Sequence, residues 1–150
     1  ALSLVRRIAP GDKRTSFVGS DFVYEDVSGR NIYADRHKLV NTTEKYYLIK
    51  NTPIKGDEVE FSYYNIWIDK NNYLPIKAEY YDKGGKLYRR VTADEIEIID
   101  SFPTVVKSTV EDLIRESKTT NFFSNIKYNI GLDDSIFSER YLRRAPRELR

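Results

Sequence analysis

From about residue 35 onward, apolar and polar positions alternate with a period of two, the spacing of a strand with one face buried. Residues 36–41 and 45–52 read as two strands separated by Thr42-Thr43-Glu44. Val59, Phe61 and Tyr63 then alternate with Glu60 and Ser62, and the phase slips at Tyr63-Tyr64 before Ile66 and Ile68 resume it. A one-residue slip inside a long strand is what a β-bulge produces, and it curves the sheet. Leu74, Ile76, Ala78 and Tyr80 fall on one face, with Lys77, Glu79 and Tyr81 on the other. Asp82-Lys83-Gly84-Gly85 predicts a hairpin turn, since glycine supplies the positive φ of tight turns. Leu87, Val91 and Ala93 continue on the return strand, opposed by Tyr88 and Arg90. Two further strands, about 102–113 and 118–128, carry a diluted apolar face interrupted by Ser108, Thr109, Thr119 and Thr120, as edge strands do.

The flanks read differently. Residues 1–18 predict an extended arm around Pro10-Gly11. Ser20 followed by acidic residues predicts a short helix within 19–29, capped by Ser20 and stopped by Gly29. Asp133-Asp134-Ser135 predicts the cap of a second short helix within 134–143. The whole is one domain over 1–150, with the antiparallel sheet at 35–128. It is mainly β (α+β), a curved antiparallel sheet or incomplete barrel with short helices. Strands never alternate with long helices, which argues against a parallel α/β sheet.

Composition strengthens the sheet and removes several functions. The chain has 150 residues with 12 tyrosines and 7 phenylalanines, residue types that suit a half-buried pleated surface. The 25 basic and 23 acidic side chains nearly balance, so charge gives no argument for nucleic acid. Absence of cysteine excludes disulfides, thiolate metal sites and thiol nucleophiles. Methionine is absent, even at position 1, as expected of a chain that begins inside a longer precursor. The longest apolar run is Tyr46-Tyr47-Leu48-Ile49, far short of a membrane span.

Candidate chemistry is sparse. His37, the single histidine, sits between Arg36 and Lys38 on a strand and reads as exposed. Asp133-Asp134 could suggest a metal pair, yet helix capping accounts for both carboxylates. Asp57, Glu58 and Glu60 crowd a predicted turn, where sequence spacing cannot set a glycosidase geometry. Nucleophile, phosphate-loop and dinucleotide motifs are missing. The reading is of a protein that is not an enzyme and needs no cofactor. Trp67 beside the bulge reads as a core aromatic, with ligand contact as the alternative. The basic residues near the ends (Arg6, Arg7, Lys13, Arg14, Arg140, Arg143, Arg144, Arg147, Arg150) read as solvated, with anionic lipid headgroups or an acidic partner as the alternative.

Three ordered blocks carry a resemblance. Phe17 and then Gly19-Ser20-Asp21-Phe22-Val23-Tyr24-Glu25-Asp26 form the first. Trp67-Ile68-Asp69-Lys70 followed by residues 73–87 form the second. Residues 123–129 and 132–144, including Asp134-Ser135-Ile136-Phe137-Ser138-Glu139-Arg140-Tyr141-Leu142, form the third. Together they resemble the outer-membrane lipoprotein-sorting proteins, the LolA-like family, in the C-terminal portion of its chains. The resemblance implies a periplasmic carrier whose half-barrel shields acyl chains of lipid or lipoprotein in transit. It also implies partners such as an envelope membrane transporter or an outer-membrane acceptor. The expected contact face is Trp67, Leu74, Ile76, Ala78, Tyr80, Leu87 and Val91. An alternative is an envelope interaction module that docks on a transporter or self-associates through its apolar face.

Overall fold

A computed structural model describes residues 8–143. Seven strands form one antiparallel sheet in sequence order: β1 (Asp35–Thr42), β2 (Tyr46–Pro53), β3 (Phe61–Asp69), β4 (Pro75–Asp82), β5 (Leu87–Ile99), β6 (Phe102–Asp112) and β7 (Ser117–Phe122). β1 and β7 are free edges, so the sheet is open and not closed into a barrel.

Opposed residues of antiparallel strands share a face, so the register divides the sheet into rows. One row on the inner face runs Leu39, Ile49, Ile66, Ala78, Val91, Val110, wholly apolar. The adjacent inner row runs His37, Asn51, Tyr64, Tyr80, Arg89, Asp112. It is polar and aromatic. On the outer face, Asn65, Glu79, Arg90 and Glu111 lie side by side. Arg90 there bonds Glu79 at 3.1 Å and Glu111 at 3.0 Å, which rewards this register over a slipped one.

The bulges place the core. The β3–β4 register breaks between Phe61 and Tyr63, at Ser62 and so one residue before the expected slip. Phe61 and Tyr64 therefore share the inner face, where they pack edge-to-face at 5.7 Å. Phe61 also meets Tyr80 at 5.3 Å, and it is fully buried. A second break, between Tyr80 and Tyr81, leaves Tyr88 as the extra residue of β5. Tyr88 joins the core, while Leu87 falls opposite Tyr81.

Several boundaries differ from the sequence expectation. Over the described residues 8–18 the arm is not extended. Residues Pro10–Arg14 form a 3-10 turn, and Ser16 bridges Val23 as the stem of a small hairpin. The first helix, α1, is only Tyr24–Ser28, with Val23 as N-cap; Asp26 reaches back to accept from the Val23 N–H at 2.7 Å. Ser20 instead donates to the Phe17 carbonyl. Gly29, at φ 79°, does end the helix. β5 continues through Asp94, Glu95 and Glu97 to Ile99, because shifts at Ala93/Glu95 and Glu95/Ile96 absorb the broken alternation. β7 stops at Phe122 and not near 128, since Asn125 and Asn129 take positive φ. The C-terminal element divides into a 3-10 turn, Asp134–Phe137, and α2 (Glu139–Arg143). Asp133 caps the former by accepting from Ser135 N at 2.8 Å. Arg6, Arg7, Arg144, Arg147 and Arg150 lie outside the described residues.

Few side chains are buried, and most gather at one end of the sheet, with Thr104 and Val106 of β6 the exceptions. Truncating Phe61 would leave a void against the stacked pair Tyr64 and Tyr80. Phe61→Ala is expected to cost about 3–5 kcal/mol, measured as a fall in the urea midpoint with its slope unchanged.

Candidate functional site

The N-terminal segment straps the polar row of the inner face. Asp21 accepts from Ser117 Oγ at 2.7 Å and Thr119 Oγ1 at 2.8 Å, which ties the hairpin to β7. Phe22 and Val23 are buried. Glu25 pairs with Arg14 at 3.1 Å and Arg30 at 3.0 Å. Asp26 pairs with Arg89 of β5. The acidic run of the first motif block is thus a set of clamps.

Three guanidiniums crowd the aromatic core beneath that strap. Arg14 and Arg30 lie 5.1 and 5.2 Å from the Phe61 ring centroid, and Arg89 lies 5.1 Å from that of Tyr80. Cation–π attraction contributes about 0.5–2 kcal/mol per pair, less than the several kcal/mol that an ion loses on burial. The carboxylates must therefore decide the balance. Burial alone would lower the Arg14 pKa, but bonding to Glu60 at 2.6 Å outweighs it and raises the pKa. The Glu60 carboxyl is pulled below its ordinary range: burial opposes this, and Arg14 prevails. Arg30 is raised chiefly by its two-pronged bond to Asp35, at 2.7 Å on each prong. Tyr64 donates to Asp35 at 3.0 Å, and burial first, then the Asp35 charge, pushes its phenol up.

Val110 of the apolar row is fully buried, while Ile49, Ile66, Ala78 and Val91 are left half-buried. There a cavity of about 700 Å³ opens, lined by residues of β1 through β6, so this face is concave. Ile49, Ile66, Ile68, Ala78, Val91 and Ala93 form its apolar wall; Arg14, Glu25, Arg30, His37 and Asn51 mark its polar end. Its size lies within the range of small-molecule sites, roughly 300–1,000 Å³.

Of the residues expected from sequence, Ile76, Ala78, Tyr80 and Val91 line the cavity; Trp67, Leu74 and Leu87 do not. Trp67 is opposed by Lys77, whose Nζ sits 3.7 Å from the indole centroid, in the row beside the cavity-facing Ile66. Leu74 precedes β4 in a turn, and the Tyr88 bulge carries Leu87 out of phase. Sequence reasoning read Arg14 as solvated and passed over Arg30, Arg89 and Asp35. Glu60 is the partner of Arg14 and Tyr88, while Glu58 pairs with Lys55 at the surface.

His37 is exposed yet held at both nitrogens. Nδ1 lies 2.6 Å from Asn51 Oδ1 and Nε2 lies 2.7 Å from the Ile32 carbonyl. Asn51 Nδ2 donates to the Ile49 and Tyr64 carbonyls, so its oxygen is the acceptor. Two acceptors suit the doubly protonated ring.

The architecture is that of a LolA-like protein. The chain belongs to a family whose model, described as "-like: Uncharacterized protein", matches residues 1–144. A DUF1329 family protein from Desulfovibrio piger superposes with a TM-score of 0.78 at 34% identity, over 95% of this chain and 61% of that one. A protein described as an outer membrane lipoprotein-sorting protein domain, from Vibrio parahaemolyticus, gives 0.81 at 25% identity over 95% and 63%. A LolA superfamily protein from Nitrosomonas europaea gives 0.61 at 18% identity over 94% and 65%, a likeness of fold alone. The chain thus spans less than two thirds of each of these relatives. No curated protein matches it.

Asn51 and Ile32 raise the His37 pKa above its ordinary value, in that order. A raised folded-state pKa stabilises the fold below the unfolded value and loses that contribution as pH rises through the folded one. Stability is therefore expected to fall as pH climbs from below about 6.5. Thermal melts across this window should show a slope in the wild type that His37→Gln lacks.

Proposed function

We propose that this chain is a carrier-type binding protein, without catalytic activity, that holds acyl chains of lipid or lipoprotein against the open inner face of its sheet. The observation that carries the reading is the cavity of about 700 Å³, walled by Ile49, Ile66, Ile68, Ala78, Val91 and Ala93, with Arg14, Glu25, Asp26 and Arg30 at its strapped end. An acyl chain gains about 0.8 kcal/mol for each methylene removed from water, so such a wall binds without any reactive group. Ile76, Ala78, Tyr80 and Val91 would contact the chain. The lipoprotein-sorting and LolA descriptions of its structural relatives support carriage between envelope membranes and a place in the periplasm. His37, the lone histidine, has both nitrogens engaged and is not free to act as a base. Among the described residues no helix is long and apolar enough to cross a membrane.

A second reading rests on a separate patch. Ile98 (70% exposed) and Phe122 (71% exposed) present apolar surface at the far end of the sheet, suited to a transporter or acceptor in the envelope.

The purified protein is expected to release lipid into organic solvent, identified by mass spectrometry, and to bind a fluorescent fatty acid. Ala93→Trp fills the cavity and should weaken that binding about tenfold, the loss of roughly two methylene contacts, with the urea midpoint little changed. If no lipid co-purifies and the fluorescent acid stays in solution, carriage fails. Weakened capture of envelope proteins by Phe122→Ser alone would favour docking.

A further inference from the structure

Where β1 and β2 wall the acyl cavity, its lining includes Ile32, His37, Ile49 and Asn51. Ile32 opens a 3-10 turn, Ile32–Ala34, in the link between the strap and β1. Both ends of this link are pinned. Arg30 holds Asp35 by two prongs of 2.7 Å, and the Ala34 carbonyl accepts from the Ile54 N–H at 3.0 Å. Between those points the backbone bonds to its own segment: the Tyr33 N–H donates to the Asn31 side chain and the Ala34 N–H to the Asn31 carbonyl. Among the described residues, the hydrogen bond that joins Ile32 to the sheet comes from His37, whose Nε2 lies 2.7 Å from the Ile32 carbonyl.

That bond and the one to Asn51 coexist only while both ring nitrogens carry protons, because both partners are acceptors. A neutral imidazole has a single N–H, so its lone pair must then confront one of the two oxygens. The oxygens differ in how far they can yield. Asn51 is 3% exposed, and its amide is fixed by the Ile49 and Tyr64 carbonyls. Ile32 is 65% exposed. The neutral ring therefore keeps its proton on Nδ1, towards Asn51, and lets Ile32 go. Slight burial opposes the charged ring, while Asp35, on the same face two residues earlier, favours it. The Asp35 charge is shared with Arg30, which also pairs with Glu25 of α1. Tyr64 of β3 donates to Asp35, and the Tyr33 phenol of the turn is exposed. Arg36, Lys38 and Lys50 alternate to the opposite face.

We propose that His37 is a proton-operated latch on the cavity: the charged ring holds the Ile32 turn against the wall, and the neutral ring frees it. With Ile32 loose the wall loses an apolar side chain, so the grip on an acyl chain weakens as pH rises through the His37 titration. That consequence for cargo rests on the carriage reading above, whereas the latch itself does not.

The test follows the full chain by NMR from about pH 5.5 to about pH 8.5, the window around the ordinary histidine value. Three signals are read: the His37 ring, the Ile32 methyl, and the Tyr33 amide nitrogen, which shares a peptide group with the Ile32 carbonyl. All are expected to titrate with one midpoint. Binding of pyrene-labelled dodecanol, whose headgroup does not titrate, is measured over the same range. Its affinity should fall about threefold across that midpoint, the size of one modest hydrogen bond, and His37→Gln should show no such fall. The latch is overturned if the ring keeps one charge state throughout, or if it titrates while Tyr33 and Ile32 stay still. An affinity that is level across the midpoint, or a His37→Gln profile that matches the wild type, overturns it too. If the alcohol binds at no pH, carriage fails instead, and the Tyr33 and Ile32 signals decide the latch alone.

Discussion

The placing of charge inside a thin β-sheet core is the constraint on which the rest of this structure depends. Phe61 and Tyr80 are enclosed by three guanidiniums, and a buried cation is tolerated only with its counter-charge in bonding reach. Those counter-charges arrive from distant parts of the chain. Glu25 and Asp26 come from α1, Asp35 from β1 and Glu60 from the turn before β3. The strap is thereby fastened to the sheet, through Asp26–Arg89, Arg14–Glu60 and Arg30–Asp35.

This arrangement divides the inner face into two rows with different fates. The row through Asn51, Tyr64, Tyr80 and Arg89 can be covered by a polar strap, since its groups bond to it. The row through Ile49, Ile66, Ala78 and Val91 offers such a strap nothing and remains open. The cavity is a consequence of register: a shift of one residue would mix the rows and abolish both clamp and groove.

The sheet was legible in the sequence because strand alternation is a local signal, and the turn at Asp82–Gly85 announced itself by its glycines. Four of the seven residues expected on the contact face, Ile76, Ala78, Tyr80 and Val91, line the cavity, although the register breaks at Ile76. Leu87 and the true end of β5 were not legible, because a bulge reverses which face a residue takes, and only a partner strand determines where it falls. The clamps were hidden more deeply. Arg14, Arg30 and Arg89 carry no periodic mark, and a charged residue near a chain end looks solvated until its partner is placed. The first motif block did hold the answer in coded form, as Asp21, Glu25 and Asp26 are the residues that fasten the strap.

The length of β5 has one more consequence. Its thirteen residues begin beneath the strap, where Arg89 is buried, and end at Ile98 and Ile99 on the uncovered margin. One continuous strand thus belongs to two regimes of local stability. Backbone amides near Arg89 lie under the strap, whereas Glu95, Ile96, Glu97 and Ile98 are exposed and have little on them beyond their ladder bonds to β6 and the Glu95–Lys107 pair. The β5–β6 hairpin can therefore breathe while the strapped end stays shut. The proposed acyl cargo would then enter or leave through that margin without the domain unfolding.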